Sequence, residues 1–268
     1  MSALLFIITS CLIAQEKQTV DGYTPRIGQQ GKDVVWVPTP QELIKKMLEI
    51  AEVKPDDYVI DLGSGDGRTV IAAAKIGAKA LGVEYNPDMV ELSKENARKE
   101  GVSDKAEFIK GDLYETDLSK ATVITMFLLP EINLKLRPRL LDLKPGTRIV
   151  SNTFTMGEWE ADYKVTTEEN WNSWNTAHLW IIPAKVEGTW KLGKEELKLF
   201  QKFQFVIGTL SSKGKSYTVA EGKLHGNSIS FTIDGKKYSG VVNDDTMTGT
   251  YTNDSGGAKS DWDAMRVK

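Results

Sequence analysis

The chain has 268 residues, 40% of them hydrophobic, and a formal net charge of −3. That is room for one large domain plus a smaller one, and it gives no bulk attraction to nucleic acid. The only cysteine is Cys11, which excludes an intrachain disulfide and a cysteine-based zinc site. Residues 4–14 are an uninterrupted apolar or small run, followed at once by Gln15-Glu16-Lys17-Gln18. The run is too short to span a bilayer and lacks a basic stretch before it, while Ile8-Thr9-Ser10-Cys11 is similar to a bacterial lipoprotein cleavage box. Residues 1–14 are therefore expected to be a signal or a weak membrane anchor, with a buried N-terminus as the alternative. Cytoplasmic and cell-envelope placement both stay open.

Residues 15–33 are polar and dotted with glycine, which reads as an exposed arm. Trp36-Val37-Pro38-Thr39-Pro40 then leads into a helix over 41–51, with Thr39 as its N-cap and an apolar stripe of Leu43, Ile44, Met47, Leu48 and Ala51. Strands are expected at 58–61, 80–84, 107–110, 121–126 and 147–151, and helices at 68–75, 87–100 and 130–141. Strands separated by helices point to a mostly parallel sheet covered on both faces. Segments 163–167 and 177–182 read as a closing strand pair, making seven strands in a domain of residues 34–183. Beyond Pro183 the pattern changes to short runs punctuated by turns, with Asp234-Gly235 as a hairpin signal. Residues 186–268 read as an antiparallel meander that curls into a small barrel or half-barrel, because a lone sheet leaves its apolar face wet. The fold class is α/β: a Rossmann-like seven-stranded sheet followed by a small β domain. His178 and His225 both fall in predicted strands and make no metal centre without carboxylates.

Val59-Ile60-Asp61-Leu62-Gly63-Ser64-Gly65-Asp66-Gly67 is an apolar strand that ends in an acid and opens into a glycine turn before a helix. Such a turn brings backbone against a nucleotide-like ligand at a helix N-terminus. The spacing is G-x-G-x-G, not the G-x-G-x-x-G of dinucleotide sites. The flanking Asp61 and Asp66 would repel a pyrophosphate and suit a ligand with amino or hydroxyl donors.

Asp61 to Gly67 resembles motif I of the class I, seven-strand S-adenosylmethionine-dependent methyltransferases. The resemblance implies that Asp61 accepts from the cofactor's α-amino group and that the Gly63-Ser64-Gly65 backbone approaches its methionine end. Glu84, twenty-three residues after Asp61, has the chemistry to accept from both ribose hydroxyls. Tyr85 and Asn86 would form the turn over one face of the adenine. Asp112 would hold the adenine amino group, and Leu113 would supply a backbone donor and an apolar contact.

Residues 34 to about 182 resemble bacterial relatives of the mitochondrial FAM173-type lysine methyltransferases, through Trp36 to Pro40, Asp61 to Arg68, Gly111-Asp112-Leu113 and Thr125 to Asn133. The stretch Pro130 to Phe154 also echoes the non-SET histone-lysine methyltransferase domain. This resemblance implies a protein substrate carrying a lysine, membrane-associated substrates included. It places Trp36 with Val37 and Pro38 at the acceptor entrance, and Phe127, Leu128, Glu131 and Asn133 beside the transferred methyl as catalytic candidates. Thr125 to Pro130 lacks the Asn-Pro-Pro-aromatic motif of base-amino methyltransferases, which argues against nucleic acid as acceptor. Trp159, Trp171, Trp174 and Trp180 are expected either to build an acceptor channel or to form the interface between domains, the interface being favoured for at least two. The alternatives are a methyltransferase for a small or lipid-like metabolite, with the β domain as lid or second pocket, and a non-catalytic cofactor-binding protein with a β binding module.

Overall fold

The computed structural model describes residues 23–168, 174–253 and 258–268. The apolar run at 1–14, the start of the polar arm and Trp171 lie outside them. The sheet domain contains α1 (Gln41–Ile50), β1 (Tyr58–Leu62), α2 (Arg68–Ile76), β2 (Lys79–Glu84), α3 (Pro87–Lys99), β3 (Ala106–Lys110), β4 (Val123–Met126), α4 (Pro130–Leu141), β5 (Arg148–Asn152), β6 (Tyr163–Thr166) and β7 (Thr176–Ile181). Its strand order is β3-β2-β1-β4-β5-β7-β6. β1 to β5 run parallel, and β7 enters antiparallel between β5 and β6.

Alternation along the strands divides the core into two layers. Val59, Ala80, Val123, Val150 and Ala177 face one way and pack on α1, α2 and α3. Ile60, Leu62, Ile124, Met126 and Ile149 face the other way and pack on α4, Trp159 and Trp180. At the carboxyl edge of the sheet β1 delivers Asp61 and β2 delivers Glu84.

α1 begins differently from the sequence expectation. Pro40 is the N-cap and no side chain caps the helix; the Thr39 hydroxyl instead accepts from Asn152 Nδ2 at 3.4 Å. The polar arm is also corrected in part. Residues 28–36 fold back as a tight hairpin, with Gly28 N–H donating to Trp36 O and Trp36 N–H to Gln29 O, both at 2.9 Å.

The second domain comprises β8 (Gly188–Leu192), β9 (Glu195–Lys202), β10 (Phe205–Ser212), β11 (Lys215–His225), β12 (Ser228–Ile233), β13 (Lys236–Asn243), β14 (Thr246–Asn253) and β15 (Ser260–Arg266). Each strand pairs with the next, and β15 closes on β8 through Ala264 opposite Leu192. Closure removes the edges a half-barrel would leave. β9 escapes the sequence reading because Glu196, Lys198 and Lys202 line its outer face and leave Leu197 and Leu199 as an interrupted apolar signal. Aromatic rings fill the interior: Phe231 stacks on Tyr238 at 4.9 Å, and Trp262 meets Phe231 edge-on at 5.6 Å. A filled barrel is not a second pocket for a lipid-like substrate.

The barrel is joined at the amino-terminal end of the sheet. Ala184 N–H donates to Gly226 O at 2.9 Å, Gln204 Nε2 donates to Glu160 O at 2.9 Å, and Phe203 stacks on Trp159 at 5.6 Å. Trp159 and Trp180 are buried in this region, and Trp180 Nε1 donates to Trp159 O. Both serve the core beneath the domain contact, not an acceptor channel.

Candidate active site

A cleft at the carboxyl ends of β1, β2 and β4 is lined, among the described residues, by positions from 29 to 132 only. No described barrel residue lines it, so the lid that the small-metabolite alternative gives the β domain is not supplied by this barrel, which attaches at the other end of the sheet. The glycine turn forms the floor. Gly63, Gly65 and Gly67 have φ of 76°, 55° and 81°, a region that a side chain strains. The Trp36 indole covers Gly65 so closely that a Cβ there would lie 2.5 Å from Nε1. Gly67 caps α2 without a side-chain hydrogen bond of its own, and Arg68 N–H donates to Asp66 Oδ1 at 3.4 Å.

Asp61 is buried at the tip of β1 and accepts from the Thr125 hydroxyl at 2.6 Å. Burial pushes its carboxyl up to about 7, the nearby Glu84 and Asp66 carboxylates add to the rise, and the Thr125 hydrogen bond offsets only part of it. A buried carboxylate facing two others is a site short of positive charge. Glu84 accepts Gly65 N–H on Oε2 at 3.0 Å and Asn86 N–H on Oε1 at 2.9 Å; each oxygen keeps a lone pair for a hydroxyl donor. Asp112 accepts Tyr114 N–H at 2.8 Å on one oxygen and Lys32 Nζ at 2.5 Å on the other. The Lys32 hydrogen bond holds the Asp112 carboxyl below its ordinary range. Lys32 also stands 4.9 Å from the Tyr85 ring centre, so the hairpin closes the slot between Tyr85 and Asp112. Leu113 lines the same wall. Lys32 is eighty residues from its partner in sequence, and no local pattern marks it.

Beyond the glycine turn, an aromatic cluster lies where β4, β5 and β7 meet. Phe127 lines the cleft, with Phe154 stacked 6.2 Å away and Trp174 edge-on at 5.8 Å. Phe154 is placed by a three-residue reversal at the end of β5. Thr153 has a φ of 61° and Phe154 N–H donates to Asn152 O at 2.7 Å, a strained arrangement for a β-branched residue. The surroundings hold it: Thr153 N–H donates to Thr176 O at 2.6 Å, and Asn133 Nδ2 donates to Phe154 O at 3.2 Å and Thr155 O at 3.3 Å. The His178 ring also bonds the Thr153 backbone; burial lowers its pKa, and that bond offsets part of the drop.

Two of the sequence candidates therefore sit elsewhere. Asn133 is fully buried and does not line the cleft; it clamps the turn that carries Phe154. Glu131 is exposed on the first turn of α4, outside the cleft wall. Thr153 and Phe154 carried no signal beyond residue type in the sequence, because a reversal at a strand end has no period; Trp174, one of the four tryptophans weighed for an acceptor channel, stands against Phe127.

A family model described as the ANTKMT methyltransferase domain matches residues 61–163, ending before the barrel begins. A protein-lysine N-methyltransferase of Saccharolobus islandicus is 45% identical over 152 residues, which are 56% of this chain and 94% of that protein. The chain belongs to this family of S-adenosylmethionine-dependent methyltransferases. An adenine nucleotide translocase lysine N-methyltransferase of Mus musculus is 33% identical over 129 residues, 47% of this chain. The match spans only 56% of that mouse relative's length. A crystal structure described as an RNA methyltransferase from Salinibacter ruber, in complex with S-adenosyl-L-homocysteine, is 47% identical, covers 56% of this chain and 96% of its own, and has a TM-score of 0.53.

The methyltransferase cleft fits S-adenosylmethionine on its own chemistry. Asp61 is a buried anion that an α-ammonium group would satisfy, Glu84 presents two oxygens to a diol, and Ser64 Oγ is buried without a hydrogen-bond partner in the cleft floor. Bound there, the cofactor supplies a methyl group already activated on a sulfonium.

Proposed function

We propose that this methyltransferase acts on the ε-amine of a protein lysine. The observation that carries the reading is the Phe127 ring on the cleft wall, backed from behind by Phe154 and Trp174. Aromatic walls bury the apolar stem of a lysine and draw its amine out of water. Desolvation lowers an amine's pKa, and the neutral form holds the lone pair that attacks the methyl carbon. Trp36 on Gly65 and Leu128 against Gly63 close the cleft between the two substrates, which aligns the reactants and excludes water. The lysine specificity named for the archaeal and mouse relatives supports the same acceptor class.

The Salinibacter structure, described as an RNA methyltransferase, favours a second reading in which the aromatics stack on an extruded base. Thr125-Met126-Phe127-Leu128-Leu129-Pro130 supplies no paired side-chain amide and carbonyl for a base edge, and the overall charge is negative. The experiment is incubation of native cell extract with methyl-labelled cofactor, comparing the parent with Asp61→Asn. Label in protein that survives hydrolysis as methyllysine is the expected result. Label confined to RNA or to small molecules would overturn the lysine reading.

A further inference from the structure

The outer face of the barrel carries three exposed large apolar side chains side by side. Phe200 is 47% exposed, Phe205 42% and Ile207 65%. Ile207 lies directly opposite Phe200 across β9 and β10, and Phe205 is two residues before it on the same face. Neighbours at these spacings form one continuous surface. Lysines bracket it at both ends. Lys202 and Lys223 flank Phe205 on the two adjoining strands, and Lys198 Nζ stands 5.3 Å from the Phe200 ring centre. The acids at the rim are Glu187, just before β8, Glu196, two residues before Lys198 on the same face and opposite the exposed Lys191, and Glu221, which accepts from the Thr232 hydroxyl at 3.1 Å. Glu158 behind them is ion-paired with Arg137, and Asp162 accepts from Ile181 N–H. The patch itself therefore presents more positive than negative charge.

A closed barrel is convex and offers no groove for the side chains of a peptide. A second copy of the chain, seated symmetrically, would bring the same lysines against each other. We propose that this face binds the surface of an anionic lipid bilayer, with Phe200, Phe205 and Ile207 in the headgroup boundary and Lys198, Lys202 and Lys223 on anionic headgroups. The barrel core is filled with its own side chains, so the domain's exterior is what it has to offer a partner. A weak apolar segment alone binds membranes reversibly, and a basic patch is the kind of second signal that makes the binding stable. The inference does not rest on the lysine reading of the active site.

The test is sedimentation of the full chain with vesicles of phosphatidylcholine alone and of phosphatidylcholine mixed with phosphatidylglycerol. The chain is expected to partition onto the mixed vesicles and to be released by salt. K198Q/K202Q/K223Q should weaken that partitioning about a hundredfold, from about 1 kcal/mol for each lysine, and F200S/I207S should remove the part that survives salt. Both variants should bind the cofactor as the parent does, which reports that they fold. Failure of the parent to bind mixed vesicles would overturn the proposal, as would equal binding by parent and both variants. Self-association lost in F200S/I207S, or preferential capture by polyglutamate in place of vesicles, would assign the face to a second copy or to an acidic protein and overturn it as well.

Discussion

Replacing Asp61 by Asn should act in opposite directions on stability and on cofactor binding. The Asp61 carboxyl titrates at about 7 in the folded chain, against about 3.9 in an unfolded one. Folding therefore takes up a proton between these values, and the protein without cofactor loses stability as the pH rises from about 4 to about 7. Linkage puts the cost of the ionised group at roughly 1.5 kcal/mol at pH 5 and roughly 4 kcal/mol at pH 8. A neutral amide in the same pocket is also desolvated, so about half of this is recovered. For a domain of this size that is a rise in Tm of roughly 4–8 °C at pH 8, shrinking to about 2 °C at pH 5. The same substitution removes the buried charge that an α-ammonium group would satisfy, and with Asp61 in that role binding should weaken by about a hundredfold or more. Thermal unfolding of parent and D61N at several pH values, with calorimetric titration of S-adenosylmethionine, measures both. A lower Tm for D61N at pH 8, or a Tm difference that does not change with pH, would refute the reading of Asp61 as a desolvated anion awaiting a cation.

Cofactor binding to the parent should tighten about fivefold from pH 6 to pH 7, because the ionised fraction of Asp61 rises from about one-eleventh to one-half; calorimetry in buffers of different ionisation heat should show the released proton. Gly65→Ala should abolish measurable binding, since φ of 55° and the Trp36 indole both oppose a Cβ there, while Gly146→Ala, with φ of 90° but nothing within 4 Å, should cost only stability. Phe154→Ala and Asn133→Ala should raise the half-saturating concentration of acceptor about tenfold with little change in cofactor Kd, because one removes the aromatic wall and the other its clamp; a loss of cofactor binding in either would place them differently. Phe231→Ala should destabilise the barrel by about 3–4 kcal/mol in denaturant unfolding and leave cofactor affinity unchanged.

Much of the sheet domain is legible in sequence because its signals are local. Alternating strands and helices, the glycine turn and the acids at the ends of β1 and β2 each follow from short-range periodicity or from a backbone conformation that only glycine takes without strain. The barrel is less so. β9 hides behind a charged outer face, and closure of β15 on β8 joins residues more than seventy positions apart. The acceptor side illustrates the difference most sharply. Phe127 stands in a motif next to the cofactor site, and the sequence points to it. Its neighbours Phe154 and Trp174 reach it only through a strained reversal held by Asn133, Thr176 and His178.

The sequence by itself determined a glycine turn flanked by acids, suited to a ligand with amino and hydroxyl donors, and the resemblance of Asp61 to Gly67 to motif I of the methyltransferases named the cofactor. Only the tertiary structure decided that the barrel stays away from the cleft, that Asn133 is a clamp and that Lys32 bridges Asp112 and Tyr85. Those roles depend on which side chains meet after the chain has closed loops of tens of residues, and no local pattern encodes such a meeting.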